Sequence, residues 1–277
     1  MNPRDIFQAS LDDLEQGKST ALVTIIQANA RWRIGARMLV RADGTALGDL
    51  GNAQLAASVR EIARQALADG TSRHISFSER DGALVQTRDA GDVAVFIQVL
   101  LASPTLLLIG AGHIGEQMVR LAKMLKWRVV VVDDRPDFLS PARLPDADER
   151  ILISYDPSSE VLAPMPITIT PSTFVLLATW GWDQPALKQV IHAPAAYIGL
   201  VASPRKSIII FRDLIKEGIS PDALARVRVP TGLDLGAETP AEIALSIMAE
   251  MLMVHRRATG MPLAQLKGSA IMRQSQK

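Results

Sequence analysis

The chain has 277 residues, with 30 Lys and Arg against 29 Asp and Glu for a net charge of +1, so it carries no field suited to nucleic acid or an acidic membrane surface. It contains no cysteine, which excludes disulfides, thiolate metal sites and cysteine nucleophiles and is compatible with a reducing compartment. The length allows two ordinary domains, each burying its own core.

The first stretch, MNPRDIFQASLDDLEQ, places Asp5, Asp12 and Asp13 where a signal peptide would have its apolar core, and no apolar run approaches the ~20 residues that span a bilayer. A cytoplasmic protein with no membrane segment is expected. Ile6, Phe7, Leu11 and Leu14 give Arg4 to Glu15 the spacing of a short amphipathic helix ended by Gly17. TALVTIIQ is a β-branched run, and GARMLVRADGTALGDL predicts two short strands around an Asp43-Gly44 turn. From Ala53 to Leu67 the pattern turns helical, with Leu55, Val59, Ile62, Ala63 and Ala66 on one face and Gly70 as the stop. HISFSE, ALVQT and DVAVFIQVL add strands, which closes a small N-terminal α/β domain over residues 1–103 with its seam at Ser103-Pro104.

Residues 104–277 alternate strand and helix: Leu106 to Ile109, a helix to Lys126, Val129 to Val132, a weak strand at Ile151 to Ser154, and Thr173 to Ala178. A helix after Asp183, the strand AYIGLVAS and a helix from Pro204 to Glu217 continue the series. Alternation of this kind predicts a parallel sheet covered on both faces. The last helix opens on a capping box, Thr239 with Glu242 three residues later and Pro240 at the first helical position. Its apolar run EIALSIMAEMLMV, interrupted by Glu250, reads as a core helix.

The first strand of this half runs into GAGHIG. Gly110, Gly112 and Gly115 have the spacing that turns the chain sharply, lets backbone approach a pyrophosphate and packs helix on strand. The helix start then offers unpaired N–H groups and a positive dipole end. His113 and Ile114 lie inside the loop, where His113 faces either phosphate or solvent. Asp133, at the end of the next strand, is placed to accept from ribose hydroxyls, with Asp134 beside it, and Arg135 is placed to meet a 2′-phosphate instead. NAD and NADP both remain open, and the glycines also admit a purely structural reading. The histidines His74, His113, His192 and His255 show no ligand spacing, so no metal site is expected.

Other motifs fall at the predicted carboxyl edge of the sheet. In ATWGWDQPAL, Thr179 and Gly181 can approach a ligand, Trp180 or Trp182 can cover a planar ring, and Asp183 reads first as an N-cap. In GLVASPRK, Ser203-Pro204 resembles a helix start, and Arg205 and Lys206 in the first turn oppose the helix dipole, so an anion nearby would account for them. Asp234 of GLDLGA is either a ligand contact or the anchor of a tight turn.

These motifs, LLLIGAGHIG, VVDDRPDF, ATWGWDQPAL, YIGLVASPRKS and GLDLGAETPAEIALSIMAE, together with ALVTIIQ and GARMLVRADGTALGDLG, resemble the XdhC/CoxI family over nearly the whole chain. The resemblance implies a Rossmann-like C-terminal domain and an accessory role in which molybdenum cofactor, as molybdopterin or its dinucleotide form, is bound, sulfurated with a cysteine desulfurase, and handed to an apo molybdenum hydroxylase such as xanthine or carbon monoxide dehydrogenase. This chain departs from the family at two places. Where relatives continue a glycine run into cysteine and glutamate it has Asn52, Ala53, Gln54 and Ala56, and where relatives carry Cys-Gly-Gly it has Asp89, Ala90 and Gly91. The resemblance therefore implies a chaperone that holds a finished cofactor or works beside a cysteine-bearing paralogue. An NAD(P)-dependent oxidoreductase is the alternative, although Tyr155 and Tyr197 form no recognisable Tyr-Lys pair; a ligand-sensing protein is a third reading, and a homodimer is left open.

Overall fold

The structure is a computed structural model, and it describes residues 2–89 and 91–266; the departure at Ala90 lies outside the described residues. The chain divides into two compact units, Met1–Ser103 and Pro104–Lys277.

In the first unit, α1 (Pro3–Glu15) and α2 (Ala53–Asp69) accompany six strands, β1 (Thr20–Ala28), β2 (Arg37–Arg41), β3 (Ala46–Asp49), β4 (Arg73–Arg80), β5 (Ala83–Thr87) and β6 (Val93–Leu100). The sheet runs β3-β2-β1-β6-β4-β5 and every pairing is antiparallel. Strand alternation decides which helix each side chain meets. Ala21, Val23, Ile25, Met38, Val40 and Val95 pack with Leu55, Val59 and Ala63 of α2. Leu22 and Leu39, one residue out of step, pack instead with Ile6 of α1. Asn52 caps α2 by accepting from Leu55 N–H, and Gly70 ends it in the left-handed conformation. Asn52, the first residue of the departure from the family resemblance, is thus a helix cap.

The second unit holds β7 (Thr105–Ile109), α3 (His113–Met124), β8 (Arg128–Asp133), a 3-10 turn at Pro136–Leu139, β9 (Glu149–Leu152), a small hairpin β10 (Tyr155–Asp156) and β11 (Val161–Leu162), β12 (Thr173–Leu177), α4 (Asp183–Val190), β13 (Tyr197–Leu200), α5 (Pro204–Lys216), one turn α6 (Pro221–Leu224), β14 (Val227–Arg228) and α7 (Pro240–Arg256). Its main sheet runs β14-β13-β12-β7-β8-β9, parallel throughout. Counted from β7 this is the doubly wound order 3-2-1-4-5-6, and the order reverses between β7 and β12.

Leu107, Ile109, Val130, Val132, Val175 and Leu177 face a layer that includes Leu187 of α4 and Leu214 of α5. Leu106, Leu108, Val129, Val131, Phe174 and Leu176 face Met118 and Val119 of α3 with Ile247 and Met251 of α7. Two boundaries differ from the sequence reading. The first helix stops at Met124 because Lys126 takes a positive φ of 62° and swings the chain into β8. The weak strand is Glu149–Leu152 because its partner β8 ends at Asp133, opposite Leu152.

Glu250, the interruption in the apolar helix, is only 7% exposed. One of its oxygens accepts from Arg228 Nη1 at 2.9 Å; the other accepts from the Tyr197 hydroxyl at 2.6 Å and from Gly232 N–H at 2.8 Å. The Tyr197 hydroxyl also pairs with Thr231. Burial, and then the Glu250 carboxylate, push the Tyr197 pKa up, so the phenol remains a donor. Glu250 therefore fastens the chain after β14 to the middle of α7. Glu250→Ala leaves the Gly232 N–H and the Arg228 guanidinium without the acceptor they share and is expected to cost about 2–4 kcal/mol in a denaturant titration, with Glu250→Gln retaining part of that loss.

Candidate functional site

The three glycines of the loop after β7 answer different demands. Gly110 sits at φ 103°, and a Cβ there would run into the Ala178 carbonyl. A Cβ on Gly115 would lie 2.7 Å from the Gly110 carbonyl oxygen and 3.0 Å from Leu108 Cδ2. Both are required by the protein's own packing. Gly112 is not: it caps α3 at φ −68° and ψ −171°, which any residue adopts, and its Cβ position has no atom within 4 Å. The α3 N-terminus receives no side-chain cap. His113 is exposed, while Ile114 is partly buried against the α3 and α7 core.

At the end of β8 the Asp133 carboxylate is 0% exposed. One oxygen accepts from Ala111 N–H at 2.6 Å and from Arg135 Nη2 at 2.9 Å; the other accepts from Arg135 N–H and Nε, both at 2.9 Å. Four donors fill the four lone-pair sites of a carboxylate. Burial works to raise the Asp133 pKa and is overcome by the Arg135 and Ala111 hydrogen bonds, which leave it below the ordinary carboxylate value. In this structure, then, Asp133 fixes the glycine loop and Arg135 and does not offer itself to a ribose. Asp134 accepts from the indole N–H of Trp182 at 3.1 Å, joining the end of β8 to the loop after β12 across the point where strand order reverses. Trp182 is a core residue, 1% exposed; of the two tryptophans only Trp180, 87% exposed, remains free to cover a ring.

Asp183 is not the helix cap that the sequence reading favoured. Trp182 occupies the cap position without a side-chain cap bond, and Asp183 is the first residue of α4. Its buried carboxylate turns back to the loop that leaves β12, where Thr179 has no sheet partner. One oxygen accepts from the Thr179 hydroxyl at 2.8 Å and its N–H at 3.3 Å, and the other accepts from the Lys206 ammonium. The anion that accounts for Lys206 at the start of α5 is thus Asp183 itself. Ser203 caps α5 by accepting from Lys206 N–H, as expected, and Arg205 is exposed. Gly181 takes φ 102° with open space at its Cβ position, and its carbonyl accepts from the Tyr155 hydroxyl at 3.5 Å. Asp234 is exposed and makes no side-chain hydrogen bond or ion pair among the described residues.

The carboxyl ends of β7, β8, β12 and β13 therefore bring together Gly110 to Gly115, Asp133 to Arg135, Thr179 to Gly181, and Ser203 with Lys206. Sequence reasoning passed over Asp183 as a bridge between two loops, over Phe138, whose ring packs against Arg135, and over Arg143, which packs on the same ring. Only the RPDF run after the paired aspartates signalled the aromatic partner; Arg143 is brought in by the turn that follows.

Fold and site define a two-unit α/β protein whose second unit has dinucleotide-binding strand order and a glycine-rich loop at its switch point. The model of the XdhC Rossmann domain matches residues 106–251, and the model of the XdhC and CoxI family matches residues 13–78. The chain belongs to the XdhC and CoxI family. A protein of Escherichia coli K12 named "Uncharacterized protein YqeB" is 34% identical over 260 residues, which is 92% of this chain and 47% of that protein. A protein of Bacillus subtilis 168, named as a probable xanthine dehydrogenase subunit, is 29% identical over 163 residues, 59% of this chain and 46% of its own length. The chain spans about half the length of these curated relatives. A crystal structure described as a xanthine dehydrogenase from Bacillus halodurans is similar at 22% identity and a TM-score of 0.49, covering 91% of this chain and 96% of that one. No helix among the described residues is long and apolar enough to cross a membrane.

The glycine contacts predict that Gly112→Ala changes unfolding stability by no more than about 0.5 kcal/mol, whereas Gly110→Val and Gly115→Val fail to give a native circular dichroism spectrum. Asp133 has a folded pKa below its ordinary value of 3.8, so its contribution is present above that value and disappears as pH falls through the folded pKa. An acid titration of stability should show a steeper loss below pH 3.8 for the wild type than for Asp133→Asn, which carries no titrating group there.

Proposed function

We propose that this chain binds the phosphate-bearing end of molybdenum cofactor, as molybdopterin or its dinucleotide form, on the Gly110 to Gly115 loop, and serves the maturation of a molybdenum hydroxylase of the xanthine or carbon monoxide dehydrogenase type. The observation that carries the reading is the open space in front of Gly112, a glycine that neither backbone conformation nor internal packing requires. A ligand that needs backbone at close range accounts for it. The uncapped N–H groups at the start of α3 suit a phosphate. Family membership and the name of the Bacillus subtilis relative support a hydroxylase as the partner.

The residues fit the phosphate end of such a ligand and not a sulfur-transfer step. There is no cysteine in the chain, and Gln54 and Asp89 form no persulfide. When bound, the cofactor supplies the redox centre that the hydroxylase uses; this chain's residues bind and orient it. Sulfur handling then falls to a cysteine-bearing paralogue or precedes binding.

Protein isolated from cells able to make molybdopterin should release a fluorescent pterin on oxidation, and protein from cells unable to make it should not. Gly112→Val should lower the yield by at least about ten-fold with native circular dichroism, since its side chain fills the phosphate space. Wild-type protein that carries no pterin refutes the reading. In reconstitution of an apo hydroxylase, stimulation should require sulfurated cofactor; equal stimulation by unsulfurated cofactor plus a desulfurase alone would overturn the division of labour.

A further inference from the structure

The sheet of the first unit is covered unevenly. On one face α2 packs across β1, β2 and β6. On the other, Ile6 of α1 covers Leu22 of β1 and Leu39 of β2, with Leu47 of β3 and Leu100 of β6 at its margin. Two residues further along β1 and β2 that cover thins. Strand register there sets Arg37 of β2, Thr24 of β1, Phe96 of β6 and His74 of β4 side by side as direct cross-strand neighbours. All four share the face of Leu22 and Leu39, because side chains alternate along each strand. An antiparallel sheet can leave one face to water, which suits Thr24 and His74. It does not suit Phe96, 37% exposed, or the arginine at the end of the row.

Arg37 carries a charge that nothing around it answers. Its Nε is buried with no acceptor, and its side chain makes no hydrogen bond or ion pair among the described residues. Its guanidinium carbon lies 5.2 Å from the centroid of Phe7, a ring that is itself 45% exposed. The nearby acids are turned elsewhere. Asp49, the cross-strand neighbour of Arg37 on β3, accepts from Gly51 N–H at 2.9 Å, and Asp13 of α1 accepts from Arg41 at 2.6 Å. A buried donor without an acceptor is costly, so an acceptor that the described chain does not supply accounts for it.

We infer that the face bearing Phe7, Arg37 and Phe96 docks a protein partner through an acidic segment, with a carboxylate on Arg37 and apolar side chains on the two rings, and that this partner is the apo hydroxylase. Charge complementarity selects the acid, since a planar guanidinium matches a carboxylate with two parallel hydrogen bonds. Aromatic rings flanking an arginine are the composition of interface centres. A sheet face is also a broad surface, unlike the concave pocket that takes a small molecule. The inference rests on the proposed function for the identity of the partner and adds the surface that holds it.

Calorimetry of the full chain with an apo molybdenum hydroxylase of the xanthine dehydrogenase type from the same organism tests it. Arg37→Glu should weaken binding at least about ten-fold and Phe96→Ala about five-fold, both with native circular dichroism. Arg60→Glu makes the same charge change at an exposed position on α2 and should stay within about two-fold of the wild type. Pterin yield should be unchanged in all three, since none lies in the unit that carries the glycine loop. Should Arg37→Glu not fold, Phe96→Ala decides. Wild-type affinity in either folded variant, an equal loss in Arg60→Glu, or no binding by the wild-type chain overturns the inference. So does a dimer in sedimentation that Arg37→Glu dissociates, because the face then belongs to a second copy. Stimulation of the apo hydroxylase separates the two claims. Equal stimulation by wild type and both variants removes the docking surface alone, and a wild-type chain that neither carries pterin nor stimulates the enzyme removes the proposed function.

Discussion

The buried carboxylate of Asp133 carries four hydrogen bonds on two oxygens, and most of the site's geometry follows from it. Its position at the end of β8 puts it within reach of Ala111, where the chain leaves β7 for the glycine loop. A charge in that environment is tolerated only when its lone pairs are filled, so the loop backbone and the Arg135 guanidinium are both drawn to one point. Without the ion, the loop would lose the acceptor that orients Ala111 N–H, and Arg135 would lose the partner that lays it over Phe138.

The same device recurs at two other loops of this unit. Asp183 gathers Thr179 and Lys206, and so links the chain leaving β12 with the start of α5. Glu250 gathers Arg228, Tyr197 and Gly232, and so holds the chain after β14 against α7. In each case an acid inside the structure takes up N–H or O–H donors that the sheet can no longer satisfy once a strand ends. The carboxyl edge of a parallel sheet is where ligands bind, and it is also where backbone donors run out of partners. Buried acids meet that second need, and the space in front of Gly112 stays open.

The cradle and the missing thiols point to one division of labour. The Rossmann unit has a glycine loop with open space at Gly112 and an uncapped helix start, while the first unit has Asn52 and Gln54 at the start of a capped helix and the chain has no cysteine. Binding and positioning are consistent with what remains; carrying sulfur is not.

The sequence by itself determined a good deal. Period-two and helical patterns marked nearly every long element, because their apolar faces had to meet a core, and GAGHIG followed by VVDD located the nucleotide-type loop because few other motifs satisfy that turn. The family motifs identified the chain for the same local reason. What only the tertiary structure decided was which charged residue faces which way. Asp133 and Asp134 are adjacent letters, yet one is saturated inside the fold and the other reaches Trp182 across the switch point. Asp183 looks like a cap and acts as a bridge, Glu250 looks like a flaw in an apolar helix and acts as a fastener, and Arg143 meets Phe138 only through the turn after Ser140. Side-chain partners set by strand order and loop closure are long-range facts: a one-dimensional pattern fixes the period of a strand, but the partner of a buried charge depends on which strand end lies beside it in space.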